Sequence, residues 1–218
     1  MGLTVREKYA WQQFMDEKHN GMGNLIPGTP LFVYPGTSAT HLAYIRDRHK
    51  YVYATYDAAY ADVVSGRGDA IVLMPGAHTL TAGATIAKNN VSVFGWEAWA
   101  GLKVQRPSAS IVAPAATDLF TVTGTDVAFR GVTLIPITQK VGITFSAAAL
   151  RLAVTGCHID MNVAVAHTST KGIIATGAAV DTYIAGNTFY SLGAHGPFVD
   201  VTGLLNYHVA DNDFIVLT

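Results

Sequence analysis

The chain has 218 residues, half of them hydrophobic and 13% charged, with 21 glycines and a formal net charge of -1 at pH 7. That length fits one domain, or one domain with an appendage, and the composition is too apolar for disorder. The near-zero charge gives no electrostatic case for nucleic acid or an anionic membrane, and the lone Cys157 excludes an internal disulfide framework or a cysteine-based zinc cage.

Residues 1–20 carry charges throughout and hold no apolar stretch, so they do not read as a signal peptide. No uncharged apolar run approaches the roughly 18 residues needed to cross a bilayer. The expectation is a soluble protein made in a cytoplasm. Thr4-Val5-Arg6-Glu7 reads as a capping box opening a helix to about His19, ended by Asn20-Gly21. Trp11, Phe14 and Met15 give that helix one apolar stripe, which marks them as partner-binding candidates. Residues 24–40 hold Pro27, Gly28, Pro30, Pro35 and Gly36, and read as an extended strap that is neither helix nor central strand. Residues 1–50 are therefore expected to be an anchoring arm, docked on its own domain or on another subunit.

Tyr51-Val52-Tyr53 is strand-like, and Thr55 or Asp57 can cap a helix through Val64 with Tyr56, Ala59, Tyr60 and Val63 on one face. Gly66-Arg67-Gly68-Asp69 reads as a turn before the buried-type strand Ala70-Ile71-Val72-Leu73-Met74. The tripeptide Arg67-Gly68-Asp69, read elsewhere by adhesion receptors, is taken as coincidence within that turn. Beyond it one pattern recurs: alternating apolar residues, a tight turn, then another short alternating run. Its turns stand at Gly95, Gly131, Gly156, Gly186 and Asp211, and further strands lie near 119–123, 172–176 and 198–202. Short strands at a near-constant period, with little helix, predict a solenoid of five to six coils over residues 51–218, with insertions such as 97–107 forming loops.

Stacking the copies puts Leu134, Ile159, Phe189 and Phe214 in one inward column, and Val132, Cys157, Asn187 and Asn212 in the column beside the turn. Asn187 and Asn212 are placed for a short amide ladder. Cys157 reads as a buried small hydrophobe. The segment from Tyr56 through Gly76, with Asn90 to Gly95 and Val127 to Val132, resembles the cap helix and first rungs of the pectate-lyase-like superfamily. That resemblance implies an all-β, right-handed parallel β-helix and says little about function, because such helices serve lyases, hydrolases, phage tailspikes and non-catalytic virion proteins alike.

Five residues before each turn stand Asp126, Arg151, Asp181 and Asn206. The functional reading is a carboxylate pair two rungs, or roughly 9–10 Å, apart, near the upper limit for an inverting glycosidase. The other is a surface charge ladder of little energetic weight. Arg151 would keep both carboxylates ionised, leaving no general acid, so the ladder is preferred. Asp211-Asn212-Asp213 reads as turn chemistry rather than a calcium loop. Tyr183 and His208 share a column and are expected to stack. No two of the eight histidines are spaced to share a metal, and only three glutamates occur.

Those features lead to an expectation of no enzyme activity, no cofactor and no metal. Family analogy points to a tailed-phage virion component, a trimeric capsid decoration or spike anchored by its arm. Its partners would be its own copies and other virion proteins such as the major capsid protein, with no nucleic acid and no membrane. Ile215 and Leu217, at the end of the last strand, complete the partner-binding set. The alternative is a polysaccharide-binding or polysaccharide-degrading module whose sugar meets the face around Asp126, Arg151 and Asp181. Exposed aromatics there would favour it.

Overall fold

The computed structural model describes residues 28–36, 51–101, 106–113, 117–136, 140–146, 149–161, 171–175, 180–192, 198–202 and 205–217. The N-terminal helix expected to carry Trp11, Phe14 and Met15 lies outside them. The chain enters through β1 (Pro30–Val33), β2 (Val52–Tyr53) and α1 (Tyr56–Asp62), then winds through three parallel sheets in strict rotation. The first sheet takes β3 (Ala70–Leu73), β6 (Val91–Gly95), β9 (Val127–Arg130), β12 (Leu152–Thr155), β15 (Val180–Ala185) and β18 (Leu205–Ala210). The second takes β4 (Gly76–Thr79), β7 (Ala109–Val112), β10 (Thr133–Ile135), β13 (His158–Asp160), β16 (Thr188–Leu192) and β19 (Asp213–Leu217). The third takes β5 (Ala84–Ile86), β8 (Phe120–Val122), β11 (Val141–Phe145), β14 (Lys171–Ala175) and β17 (Val199–Asp200). The described strands thus complete five coils and two thirds of a sixth.

Alternation decides which side chains fill the tube. In the first sheet Ile71, Val93, Phe129, Val154 and Ile184 stack in register. In the second, Ile111, Leu134, Ile159 and Phe189 do so, and in the third Ile86, Val122 and Phe145. All of these are fully buried, each contributing about 1.5–3 kcal/mol of apolar transfer.

Two rows of left-handed residues bend each coil. Asn90, Asp126, Arg151, Asp181 and Asn206 have φ of 54°, 57°, 56°, 58° and 56°, and turn the chain from the third sheet into the first. Gly131, Gly156, Gly186 and Asp211, with φ of 57°, 60°, 64° and 52°, turn it from the first into the second. Glycine meets no side-chain penalty here, and Asn and Asp tolerate the conformation through local hydrogen bonds. Arg151 has neither advantage.

The strap departs from expectation. Pro30–Val33 forms a central strand, β1, between β2 and β3, with Leu31 and Val33 in the main core. Proline is tolerated because it opens the strand. The ladder bonds fall elsewhere: Phe32 and Tyr34 donate to Tyr51 and Tyr53 carbonyls at 2.9 and 3.0 Å, and Ala70 and Met74 donate to Thr29 and Val33 carbonyls at 3.1 and 2.9 Å. Asp69 ties this strand to the turn. Its fully buried carboxylate accepts from the Thr29 and Val64 amides at 2.8 and 2.7 Å and from Arg67 Nε and Nη2 at 2.6 and 2.7 Å. The Arg67-Gly68-Asp69 tripeptide is therefore a structural knot.

Thr55 caps α1 by accepting from the Ala58 amide at 3.2 Å, while Tyr56, Ala59 and Val63 seal the first coil. The far end of α1 is capped from the next coil: Lys88 Nζ donates to the carbonyls of Tyr60, Ala61 and Val63 at 2.7, 3.0 and 2.7 Å. A cation among the last carbonyls of a helix offsets their unpaired partial charge. The insertion after β6, expected as loop, begins instead as a short helix, α2 (Trp96–Trp99). Trp99 packs edge-on against Phe32 and Phe94, covering the outer side of the first sheet at β1, β3 and β6.

Candidate functional site

The outer face of the first sheet changes character along the tube. Near β3 it is covered by Trp99. From β9 onward the outward column reads Ala128, Ala153, Tyr183 and His208, in register on successive strands. Thr182 and Ile184 point inward, so alternation forces Tyr183 out, where 46% of it is exposed. Its ring stacks on His208 with centroids 5.0 Å apart and planes 5° from parallel. The preceding rungs carry alanine in the same column, Ala153 half-buried and Ala128 buried.

The left-handed row flanks this stack. Arg151 grips Asp126 with both edges of the pair, the Nη2–Oδ2 bond being 2.6 Å and the second running from Nε to Oδ1. The guanidinium holds the Asp126 carboxyl below its ordinary range, and Asp126 pushes Arg151 upward in turn. Asp181, one coil further on, is exposed and adds to the field on Arg151 without a hydrogen bond of its own among the described residues. Asn206 is exposed on the last coil. The row thus offers an anchored ion pair, a free carboxylate and an amide beside a flat aromatic surface. The pairing with Arg151 keeps Asp126 charged, so that carboxyl is not a proton donor.

The amide ladder forms at the opposite turn. Asn187 Nδ2 donates to Asn212 Oδ1 at 2.9 Å and to the Val154 carbonyl at 2.9 Å, while its Oδ1 accepts from the Cys157 amide at 2.9 Å. Burial pushes the Cys157 thiol up to about 11, so it packs rather than reacts. Among the partner-binding candidates, Ile215 lies on β19 opposite Tyr190 and is 41% exposed. Leu217 pairs with Leu192 at the end of the same strand. Phe214 and Val216, on the inward side of that last strand, are about half exposed.

The outer face of the second sheet escaped the sequence reading. There Thr133, His158 and Asp160 are buried, and Arg106 reaches Asp160 at 3.0 Å. Burial lowers the His158 pKa, against the upward pull of Asp160. The available signal was His158-Ile159-Asp160, where alternation puts both polar side chains on one face. Among the described residues no group of three His, Cys, Asp or Glu is placed to hold a metal ion.

No protein family and no curated protein sequence matches the chain. Three solved structures do match its fold. A pectin methylesterase variant in complex with hexasaccharide IV superposes with a TM-score of 0.56 over 86% of this chain, at 12% identity. A pectin methylesterase in complex with hexasaccharide VII gives 0.56 over 86%, at 13% identity. Pectin methylesterase PemA from Erwinia chrysanthemi gives 0.52 over 75%, at 14% identity. The fold is a right-handed parallel β-helix, shared in shape with these three proteins. This β-helix covers 66%, 66% and 55% of those three chains, so it spans two thirds of their length or less. At such identity the likeness carries the fold alone. It nevertheless corrects two expectations. The non-catalytic virion component and the absence of enzyme activity both rested on analogy and on a missing acidic cluster, whereas the three β-helices alike in shape are pectin methylesterases, enzymes that modify a polysaccharide.

Proposed function

We propose that this protein is a polysaccharide-active β-helix that holds a glycan chain against the outer face of its first sheet, across β12, β15 and β18. The observation that carries this is the exposed Tyr183 ring, stacked on His208 and bordered by Asp181 and Asn206. A sugar ring presents C–H groups on its faces and hydroxyls around its rim. A flat aromatic surface meets the former, and a carboxylate and an amide meet the latter as acceptor and donor.

The test is affinity electrophoresis and titration calorimetry of the full chain against neutral, acidic and amino-sugar polymers. Tyr183→Ala should weaken binding to the best polymer at least tenfold without changing the melting temperature. Binding unaffected by that substitution, or no binding across the panel, would overturn the reading. Assay of the same mixtures for released ester groups, new reducing ends or unsaturated products reports whether the bound chain is also modified.

A further inference from the structure

A second polar surface lies on the outer face of the second sheet, away from Tyr183. Arg106, Pro107, Ser108, Ser110, Thr133 and Ile135 line a cleft of about 340 Å³ there. Its hydrogen-bond inventory is one-sided. Thr133 donates its only hydroxyl hydrogen to the Pro107 carbonyl at 2.9 Å, Ser108 donates to Glu97 Oε1, and Ser110 points its hydroxyl at the Gly76 carbonyl at 3.5 Å. A hydroxyl whose hydrogen is committed to the protein can offer a ligand only its lone pairs. The donors come instead from Arg106, which spends Nη2 on Asp160, keeps further N–H groups, and is 65% exposed at its side chain.

Behind this lining lies polar structure that the solenoid itself does not require. His158 sits beside Thr133 on the ladder, more than nine-tenths buried, and its Nδ1 has no hydrogen-bond partner among the described residues. Asp160 is equally buried and neutralises Arg106, while Glu97 adds a second carboxylate behind Ser108. An acidic ligand would meet a cation already matched and an additional negative charge. A ligand rich in hydroxyl groups finds acceptors in Ser108, Ser110 and Thr133, a donor in Arg106, and apolar contact from Pro107 and Ile135.

We propose that this cleft is a glycan subsite for an uncharged sugar unit. The inference rests on the polysaccharide reading above and adds a second place of contact with a stated preference for neutral over acidic sugar. The test uses the full chain, amide-resolved NMR, and four probes: cellotetraose, maltotetraose, mannotetraose and tetragalacturonate. At least one neutral probe should shift the amides of Ser110, Thr133 and Ile135, and Ser110→Ala or Arg106→Gln should weaken that binding at least fivefold. Tyr183→Ala should leave those shifts in place. Shifts confined to the Tyr183 face would overturn the cleft and leave the polysaccharide reading standing. Shifts confined to the cleft would sustain it and remove Tyr183 from the function. Tighter binding of tetragalacturonate at the cleft would overturn the preference, and silence from all four probes would sink the cleft, leaving the Tyr183 face to the polymer panel.

Discussion

Asn187 and Asn212 share one amide hydrogen bond of 2.9 Å across adjacent coils, and each also donates to a carbonyl of the coil before it, Val154 at 2.9 Å and Ile184 at 3.0 Å. Asn187 is 1% exposed. Its replacement by Ala would strand the Val154 carbonyl and the Cys157 amide away from water. Each buried orphan costs about 1–3 kcal/mol. Asn187→Ala should therefore lower unfolding free energy by about 2–4 kcal/mol in urea titration. A loss below about 0.5 kcal/mol would mean the ladder is ornamental.

Asp69 sets an acid limit on the cap. Burial alone would raise its pKa, but hydrogen bonds from Arg67, Val64 and Thr29 outweigh it and the folded value lies below the ordinary carboxyl range. A depressed folded pKa gives stability that is fully present above the unfolded value of about 4. That stability is lost as pH falls through the folded value. Melting temperature should drop on acidification below about pH 4, more steeply in the native protein than in Asp69→Asn. That variant should be less stable at pH 7 by about 2–4 kcal/mol, because one acceptor becomes a donor facing donors. Parallel pH profiles would refute the assignment.

Two glycines in the same turn row should respond differently to alanine. At Gly156 an added Cβ meets nothing within 4 Å, so only the left-handed backbone, φ 60°, is penalised. That penalty is about 1–2 kcal/mol. At Gly131 the same Cβ would lie 2.3 Å from Ala98 Cβ on α2. Gly131→Ala should cost clearly more than Gly156→Ala and should also shift the tryptophan fluorescence of Trp96 and Trp99. Equal costs would mean that α2 moves aside freely.

Arg151 is the exception among residues suited to its backbone position. Arg151→Asn trades a weak, solvent-exposed ion pair for relief of about 1–2 kcal/mol of left-handed strain. Stability should stay level or rise by about 1 kcal/mol, while the Asp126 carboxyl moves up toward its ordinary range in an NMR titration. A marked loss of stability would show that the pair holds the corner together.

The coils were legible in the sequence because the tube is built from local signals. Inward alternation, a glycine or Asp at each first-sheet turn, and the recurrence of both fix Leu134, Ile159 and Phe189 without knowledge of any distant contact. The stack of Tyr183 on His208 followed from the same column arithmetic. What escaped depends on meetings between remote residues. Arg106 and Asp160 lie 54 positions apart. Lys88 caps a helix two dozen residues behind it, and nothing local marks it as a cap. Pro30 disguised β1, since proline argues against a central strand unless it stands first. The row containing Asp126 and Asp181 was read for charge alone, although its shared property is a left-handed backbone that also admits Asn90 and Asn206.

The two left-handed rows have a bearing on how this molecule can vary. From Asp126 to Gly131, Arg151 to Gly156, Asp181 to Gly186 and Asn206 to Asp211 the chain advances by the same five residues. That segment acts as a ruler, since one residue more or less would turn every following side chain of its strand to the opposite face. All the variation in coil length falls elsewhere. Length is therefore locked along the first sheet and free to change outside it, as the α2 insertion after β6 and the long connection from β13 to β14 show. A peptide grafted between a second-sheet strand and the third-sheet strand that follows should be carried as cargo, whereas the same graft within the ruler should scramble the stack from that coil onward.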